Sequence, residues 1–333
     1  MKVLVTGASG FVGLNIVKAL QQAGHDTHVY LRASSKRDFL QAFSPTFHTG
    51  ELTDLAALQQ AMQGVDAVIH TAGNTSCFKR DYQHLFKVNV TGTQTVIDAA
   101  LASGVKRLVY TSTTSTIGAQ RNSQNQANEA TRLQGFRAKS PYAKTKLLAE
   151  QAVLAAQKQG LEVVILNPAE IIGEFDHNFQ WGRLVMAVFA NQVPFLPPGA
   201  ASFCCAAEVG KAHVNALTQG KSGERYILAG DDRDYRSFLQ LIADSLQTKF
   251  DLPNTNYSRL YWREKLKEWL YPLLGRDALV EPYRIRVFGG QYYFSSAKAE
   301  QDLGYQPIKL EQMIGNCVAW YRANGILPPA QSE

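Results

Sequence analysis

Short apolar runs alternate with helical stretches along the first half of the chain. Lys2 to Thr6 is rich in Val and Leu, a glycine-rich turn follows, and apolar residues then recur at helical spacing from Phe11 to Ala23. Similar apolar runs, each bounded by turn residues, return at Thr27 to Leu31, Ala67 to His70, Arg107 to Ser112 and Val163 to Leu166. Helical stretches such as Leu55 to Met62 and His84 to Leu101 lie between them. Strands with so little polar alternation are buried on both faces, which is the mark of a parallel sheet covered by helices. The rhythm predicts an α/β fold: a Rossmann-type doubly wound parallel sheet with ligands at the carboxyl ends of its strands.

After Asn167-Pro168 the rhythm degrades, through Pro194, Pro197-Pro198-Gly199 and a polar, aromatic region from Asn254 to Tyr293. Residues 1–170 are therefore expected to form the main domain, and 171–333 mainly a smaller C-terminal substrate lobe. A segment of about 203–230 is expected to return to the main domain, with Glu224-Arg225-Tyr226-Ile227-Leu228 as a further strand. Ile308 to Ala323 reads as a terminal amphipathic helix.

Composition narrows the class. The 333 residues are 45% hydrophobic and 19% charged, ordinary for a globular chain. No apolar run reaches the roughly 18 residues that a membrane span needs, and Met1-Lys2 leads directly into a strand pattern rather than a signal peptide. A soluble cytoplasmic protein is expected. Cys77, Cys204, Cys205 and Cys317 show no C-x-x-C spacing, so they read as small buried apolar residues, and no metal site is expected. The net charge of +6 comes from scattered basic residues without an Arg-rich arm, so nucleic acid is not the expected partner; an anionic cofactor or substrate accounts for the charge equally well.

The turn Thr6-Gly7-Ala8-Ser9-Gly10-Phe11-Val12-Gly13 lies between a strand and a helix, where glycines let the backbone approach a pyrophosphate and aim helix amides at it. Its spacing is G-x-x-G-x-x-G rather than G-x-G-x-x-G. Gly7, Ser9, Gly10, Phe11, Val12 and Gly13 are thus candidate dinucleotide contacts. The end of the second strand selects the dinucleotide: an acidic residue there favours NAD, whereas this chain has Tyr30-Leu31-Arg32-Ala33-Ser34-Ser35-Lys36-Arg37. Arg32 and Lys36 suit a 2′-phosphate, and NADP(H) is favoured over NAD(H). The plainer reading of this stretch is a solvated basic loop.

Ser140-Pro141-Tyr142-Ala143-Lys144-Thr145-Lys146 carries a Tyr-x-x-x-Lys pair. On a helix the phenol and the ammonium stand one turn apart, and the cation is expected to stabilise a phenolate whose reference pKa is about 10. Alone, the pair is common on helix surfaces. Together with the glycine turn it points to a nicotinamide enzyme.

In these motifs the chain resembles the extended short-chain dehydrogenase/reductase family, within the epimerase/dehydratase superfamily, and most of all its dihydroflavonol reductase and 3β-hydroxysteroid dehydrogenase-like branch. Further matching pieces are Gly50-Glu51-Leu52-Thr53-Asp54, Val68-Ile69-His70-Thr71-Ala72-Gly73, Asn89-Val90-Thr91-Gly92-Thr93, Val109-Tyr110-Thr111-Ser112-Thr113 and Asn167-Pro168. Glu224 to Leu228, Ser296-Ala297-Lys298, Leu303-Gly304-Tyr305 and Trp320-Tyr321 extend the match to nearly the whole length. The resemblance implies that Thr113, with Ser112 as the alternative, hydrogen-bonds the substrate oxygen, that Tyr142 donates the proton and that Lys146 holds the nicotinamide ribose. It implies adenine contacts at Glu51 and Leu52, although the family usually has Asp where Glu51 stands. Thr71, Ala72 and Gly73 are implied to line the dinucleotide, Asn89 to order that region, and Pro168, Ala169 and Ile171 to pack against the nicotinamide end. His70 reads as a structural histidine.

The reaction expected is reversible, NADPH-dependent reduction of a ketone or aldehyde, with a small-molecule carbonyl or alcohol compound as partner. Nucleotide-sugar epimerisation with tightly held NAD is the alternative, and Arg32 argues against it. Dehydratases of the family have Asp-Glu after the catalytic Thr, where this chain has Thr114 and Ser115. A non-catalytic NADP(H) sensor is a reading of a different class, opposed by retention of both Tyr142 and Lys146. Phe175, Phe179, Trp181, Phe195 and Phe203 are candidates for an aromatic pocket, with Tyr257 through Trp269 closing over it, though each taken singly reads more readily as lobe core. Gln124, Asn125, Glu129 and Phe136 are candidates to face substrate, and a homodimer through the two long helices beside the sheet is a family expectation.

Overall fold

The structure, a computed structural model, describes residues 1–251, 253, 256–271 and 282–329. Asn254, Thr255 and residues 272–281 of the expected aromatic region lie outside the described residues. Among the described residues the strands are β1 (Lys2–Thr6), β2 (Asp26–Leu31), β3 (Thr46–Thr49), β4 (Ala67–His70), β5 (Arg107–Thr111), β6 (Glu162–Pro168), β7 (Glu170–Ile172), β8 (Ala200–Cys205), β9 (Glu224–Leu228), β10 (Asp231–Asp234) and β11 (Gln291–Tyr292). The helices are α1 (Phe11–Gln22), α2 (Asp38–Gln41), α3 (Leu55–Ala61), α4 (Tyr82–Phe86), α5 (Gly92–Ala102), α6 (Pro141–Ala156), α7 (Gly182–Phe189), α8 (Ala206–Asn215), α9 (Tyr235–Leu246), α10 (Tyr257–Leu270), α11 (Pro282–Phe288), α12 (Ala297–Leu303) and α13 (Leu310–Ala323).

Seven parallel strands form one sheet in the order β3-β2-β1-β4-β5-β6-β9. Strand alternation sends Val3, Val5, Val29, Ile69, Val109 and Val164 to one face, where Leu14, Ile16 and Val17 of α1 and Val209 and Ala212 of α8 cover them. Leu4, Val68, Leu108, Val163 and Ile165 go to the other face, against Leu58, Val96, Ile97, Ala149 and Val153 of α3, α5 and α6. Both faces are dry, so these strands read as apolar runs, and each fully buried side chain contributes about 1.5–3 kcal/mol. The chain reverses direction across the sheet between β1 and β4, which opens a crevice at the carboxyl ends of these strands.

A second, smaller sheet is built on β8, which pairs antiparallel with β10 and parallel with β7 and β11. The apolar pattern does not reveal β3, whose Thr-Phe-His-Thr sequence occupies a sheet edge and is only half buried. The stretch His84 to Leu101, expected as a single helix, is α4, a π-helical turn over Lys87–Thr91 and α5. Asn89 lies in that wide turn and faces inward, 1% exposed.

Helices α1 and α8 cross at backbone contact. A Cβ on Gly210 of α8 would lie 2.5 Å from the Asn15 carbonyl oxygen of α1, so no side chain fits between them. Gly210→Val is expected to destabilise the fold by about 1–3 kcal/mol, read as a lower urea midpoint at unchanged slope.

Candidate active site

The glycine turn is closed by its neighbours. Gly7 has φ +73°, and a Cβ there would stand 2.6 Å from the Ala72 nitrogen, so the chain leaving β4 abuts the turn. A Cβ on Gly13 would lie 2.2 Å from the Gly7 carbonyl oxygen, which brings the first turn of α1 against the end of β1. No side chain caps α1 at Gly10, and the helix amides beside Ser9, Phe11 and Val12 are left for an anion at its positive end. A cradle that any Cβ would fill and an uncapped helix start are features a dinucleotide pyrophosphate fits.

Thr71, Ala72 and Gly73 follow β4 along the same crevice, with the Thr71 amide donating to the Thr6 carbonyl at 3.2 Å. Asn89 orders this strip: its Oδ1 accepts from the Asn74 amide at 2.7 Å, and its Nδ2 donates to the Asn74 carbonyl at 2.9 Å and to Thr145 Oγ1 at 3.1 Å. Arg32 and Lys36 are exposed on the turn after β2. Arg37 is engaged elsewhere, donating to Thr49 Oγ1 at 2.9 Å with its guanidinium over the Phe47 ring. Glu51 is exposed beyond β3, with its carbonyl held by the Tyr30 hydroxyl at 3.0 Å, and Leu52 packs against Gly92. Pro168 ends β6, the Ala169 amide donates to the Leu228 carbonyl at 2.9 Å, and Ile171 is half buried on β7.

Ser140 caps α6 through the Ala143 amide and Pro141 opens it, which sets Tyr142 in the first turn and Lys146 one turn later. Thr113 stands beside the Tyr142 phenol and favours its ionised form. Ser112 turns away and donates to Glu150. Lys146 is 4% exposed and donates to Tyr110 Oη at 2.6 Å and to the Thr111 carbonyl at 2.7 Å.

One expectation is corrected by this geometry. The Tyr142 phenol is raised rather than lowered: burial pushes it up, the Cys77 thiol and the Glu170 carboxylate add to that, and Thr113 and Arg284 oppose it. Lys146 is itself driven down to about 7 by burial, with Glu150 opposing. Tyr110 and the Thr111 carbonyl hold the ammonium.

Glu150, one turn beyond Lys146, is a functional neighbour that sequence reading missed. Its Oε1 accepts from Ser112, from Thr116 Oγ1 at 2.8 Å and from Asn167 Nδ2 at 2.8 Å, and Arg225 of β9 approaches its other oxygen at 3.6 Å. Asn167 Nδ2 is also 3.0 Å from the Thr113 carbonyl. Extending the Tyr142, Lys146 spacing by four residues would have found Glu150 on the same helix face. His70, buried between Thr6 Oγ1 at 2.6 Å and Thr93 Oγ1 at 2.9 Å and pushed down to about 3 by burial, is a neutral structural residue.

The aromatic candidates do not form one pocket. Phe175 packs with Phe39, Phe43 and Trp320; Phe179 lies on Tyr321; and Phe195 lies on Tyr257. Trp181 and Phe203 join a cluster with Tyr235 and Phe238, where Phe203 is fully buried core. Of the stretch expected to close over the site, Trp262 and Trp269 face outward, at 68% exposed each. Glu129 accepts from the Ile227 amide at the edge of β9, a structural task, while Gln124 and Asn125 lie in an exposed turn anchored by Asn122. Phe136 meets Tyr283 of α11 edge to face, and Arg286 covers it. Cys204, Cys205 and Cys317 are buried as expected, but Cys77 is half exposed and acts on Tyr142, because the loop after β4 brings it over the site. Glu170, which accepts from Trp181 Nε1 at 3.1 Å and is pushed up by burial, is a second unforeseen carboxyl at this end.

A dinucleotide cradle at the switch point, with a Thr-Tyr pair and a buried lysine beside it, defines a short-chain dehydrogenase/reductase type of enzyme. The chain matches the NAD dependent epimerase/dehydratase family over residues 3–229 and belongs to it, in the extended branch of the short-chain dehydrogenases/reductases. It is 30% identical to a putative dihydroflavonol 4-reductase of Synechocystis sp. over 96% of this chain and 94% of that one. It is also 30% identical to a 3-beta-hydroxysteroid dehydrogenase of Mycolicibacterium neoaurum, over 96% and 91% of the two chains. The crystal structure of gox2253 superposes with a TM-score of 0.85 at 28% identity, covering 97% of this chain and 98% of that one. The protein is accordingly an oxidoreductase of this superfamily acting on CH–OH or C=O groups. No helix among the described residues is long and apolar enough to cross a membrane.

Lys146 gives the site a pH signature. Its folded-state pKa of about 7 lies below the ordinary 10.5, so between these values the unfolded chain binds a proton that the folded chain does not. This group therefore adds stability as pH rises from about 7 towards 10 and contributes a constant penalty below that window. Urea titrations at stepped pH are expected to show a steeper rise across the window in the wild type than in Lys146→Met, by roughly a few kcal/mol in total. Parallel curves would mean that the lysine is not depressed.

Proposed function

We propose that the protein is an NADP(H)-dependent reductase of ketones or aldehydes, working reversibly on a small-molecule carbonyl or alcohol substrate. The observation that carries the reading is the placement of Tyr142 in the first turn of α6, beside Thr113 and one turn before the buried Lys146, at the mouth of the dinucleotide crevice. When bound, the nicotinamide supplies a hydride to the carbonyl carbon. Tyr142 stays protonated at neutral pH because burial disfavours the phenolate, so it is a donor ready for the developing oxyanion. Thr113 offers a second hydroxyl to the same oxygen, and its carbonyl is held by Asn167. Lys146 holds the nicotinamide ribose.

Gly7, Ser9, Gly10, Phe11, Val12 and Gly13 cradle the pyrophosphate in this reading. Glu51 and Leu52 flank the adenine, Thr71, Ala72 and Gly73 line the crevice, and Pro168, Ala169 and Ile171 back the nicotinamide. Arg32 and Lys36 take the 2′-phosphate, supported by their exposure on the turn after β2. The names of the two relatives, a reductase and a hydroxysteroid dehydrogenase, support a bulky apolar carbonyl or alcohol substrate. The exposed Leu148 of α6 and Tyr82 and Phe86 of α4 support a homodimer through that side of the sheet.

A fluorescence titration with NADPH and NADH tests the cofactor. NADPH is expected to bind more tightly by roughly tenfold or more, with the preference lost in Arg32→Asp. Preference for NADH, or NAD that cannot be stripped from the protein, would instead favour nucleotide-sugar epimerisation. Tyr142→Phe is expected to lower kcat for ketone reduction by about 10²–10⁴ while NADPH affinity holds; unchanged turnover would remove Tyr142 from the chemistry.

A further inference from the structure

Helix α10, Tyr-Ser-Arg-Leu-Tyr-Trp-Arg-Glu-Lys-Leu-Lys-Glu-Trp-Leu, has an inner and an outer face. The inner face is tied to the protein: Tyr257 Oη donates to the Ile285 carbonyl of α11 at 2.5 Å, and Glu264, 3% exposed, accepts from Arg263 and Lys267 at 2.8 Å each. The outer face carries Trp262 (68% exposed), Leu266 (54%) and Trp269 (68%). At i, i+4 and i+7 these three fall within an arc of about 60°. Arg259 and Arg263 flank the stripe on one side and Lys265 on the other. Lys265 pairs with Glu268 at 2.6 Å, and in total the helix carries four cations against two carboxylates.

We propose that α10 is a membrane-surface helix that seats the protein on anionic phospholipid headgroups, with Trp262, Leu266 and Trp269 entering the interface and the flanking cations meeting lipid phosphates. Indole rings, apolar in body and polar at the N–H, prefer the headgroup layer to either water or hydrocarbon. An apolar stripe bordered by Arg and Lys on both sides is complementary to a negatively charged surface. A second copy of the chain is the poorer occupant. Three side chains offer on the order of a few hundred Å², against about 800 Å² per partner for a stable dimer.

The placement has a consequence for substrate access. Helix α11, on which Tyr257 rests, carries Tyr283, whose ring meets Phe136 ahead of the Tyr142 helix, and Arg284, which acts on Tyr142 and reaches the Thr75 carbonyl at 3.4 Å. A protein seated through α10 therefore has the rim of its active site beside the bilayer.

The test is co-sedimentation of the full chain with vesicles of phosphatidylcholine alone or containing phosphatidylglycerol, with brominated lipid to quench tryptophan fluorescence. Binding to the anionic vesicles is expected, with quenching, falling as salt rises, and weakened roughly tenfold or more in Trp262→Ser/Trp269→Ser. NADPH titration and thermal melting of the variant, matching the wild type, show that the fold is intact. Three results would overturn the proposal: no sedimentation with anionic vesicles, equal sedimentation of the variant, or concentration-dependent self-association abolished by the same substitutions without vesicle binding.

Discussion

The arrangement of the active site depends on a carboxylate that has no water to turn to. Glu150 is 3% exposed, and a buried charge in that position is tolerated only when its oxygens are satisfied. Its partners come from separate parts of the chain: Ser112 and Thr116 after β5, Asn167 on β6 and Arg225 on β9. Satisfying one carboxylate therefore brings the ends of three strands to the middle of α6. The loop bearing Thr113 has no freedom to drift from Tyr142, because Asn167 holds its carbonyl and Arg137 donates to the Thr114 and Ile117 carbonyls on its other side.

Burial acts on the two ionisable groups of α6 in opposite charge directions with a common result. It raises the Tyr142 phenol and lowers the Lys146 ammonium, so both are biased towards their neutral forms. The hydrogen bond from Lys146 to Tyr110 belongs to the same economy, since an ammonium this deep must donate to something. A site in this condition is held ready by neutral hydrogen bonding rather than by a standing ion pair.

Much of this was legible in the chain. The β1-turn-α1 unit, the buried strands and the Tyr-x-x-x-Lys helix announce themselves because both their periodicity and their special residues are local. Glu224 to Leu228 forms β9 as its apolar pattern implies. Less local features were not legible. The edge strand β3 has no apolar signature, and the second sheet is assembled from strands as short as Gln291–Tyr292. Phe175, Phe195 and Phe203 have the same composition-level signal, yet long-range packing gives each different ring partners. Ser112 and Thr113, adjacent and chemically alike, are separated only by strand alternation, which points one at Glu150 and the other at Tyr142.

The π-helical turn over Lys87–Thr91 works as a phase shifter. One surplus residue in a helix amounts to about 100° of rotation about its axis. Upstream, Leu85 is buried, and at the wide turn Asn89 is aimed at the Asn74 loop; downstream, Val96 and Ile97 meet the sheet. A regular helix through the same residues would have to compromise between those bearings. By resetting its phase in the middle, the chain keeps an azimuth suited to the crevice and another suited to the core on one continuous rod, and each end can vary in sequence without turning the other.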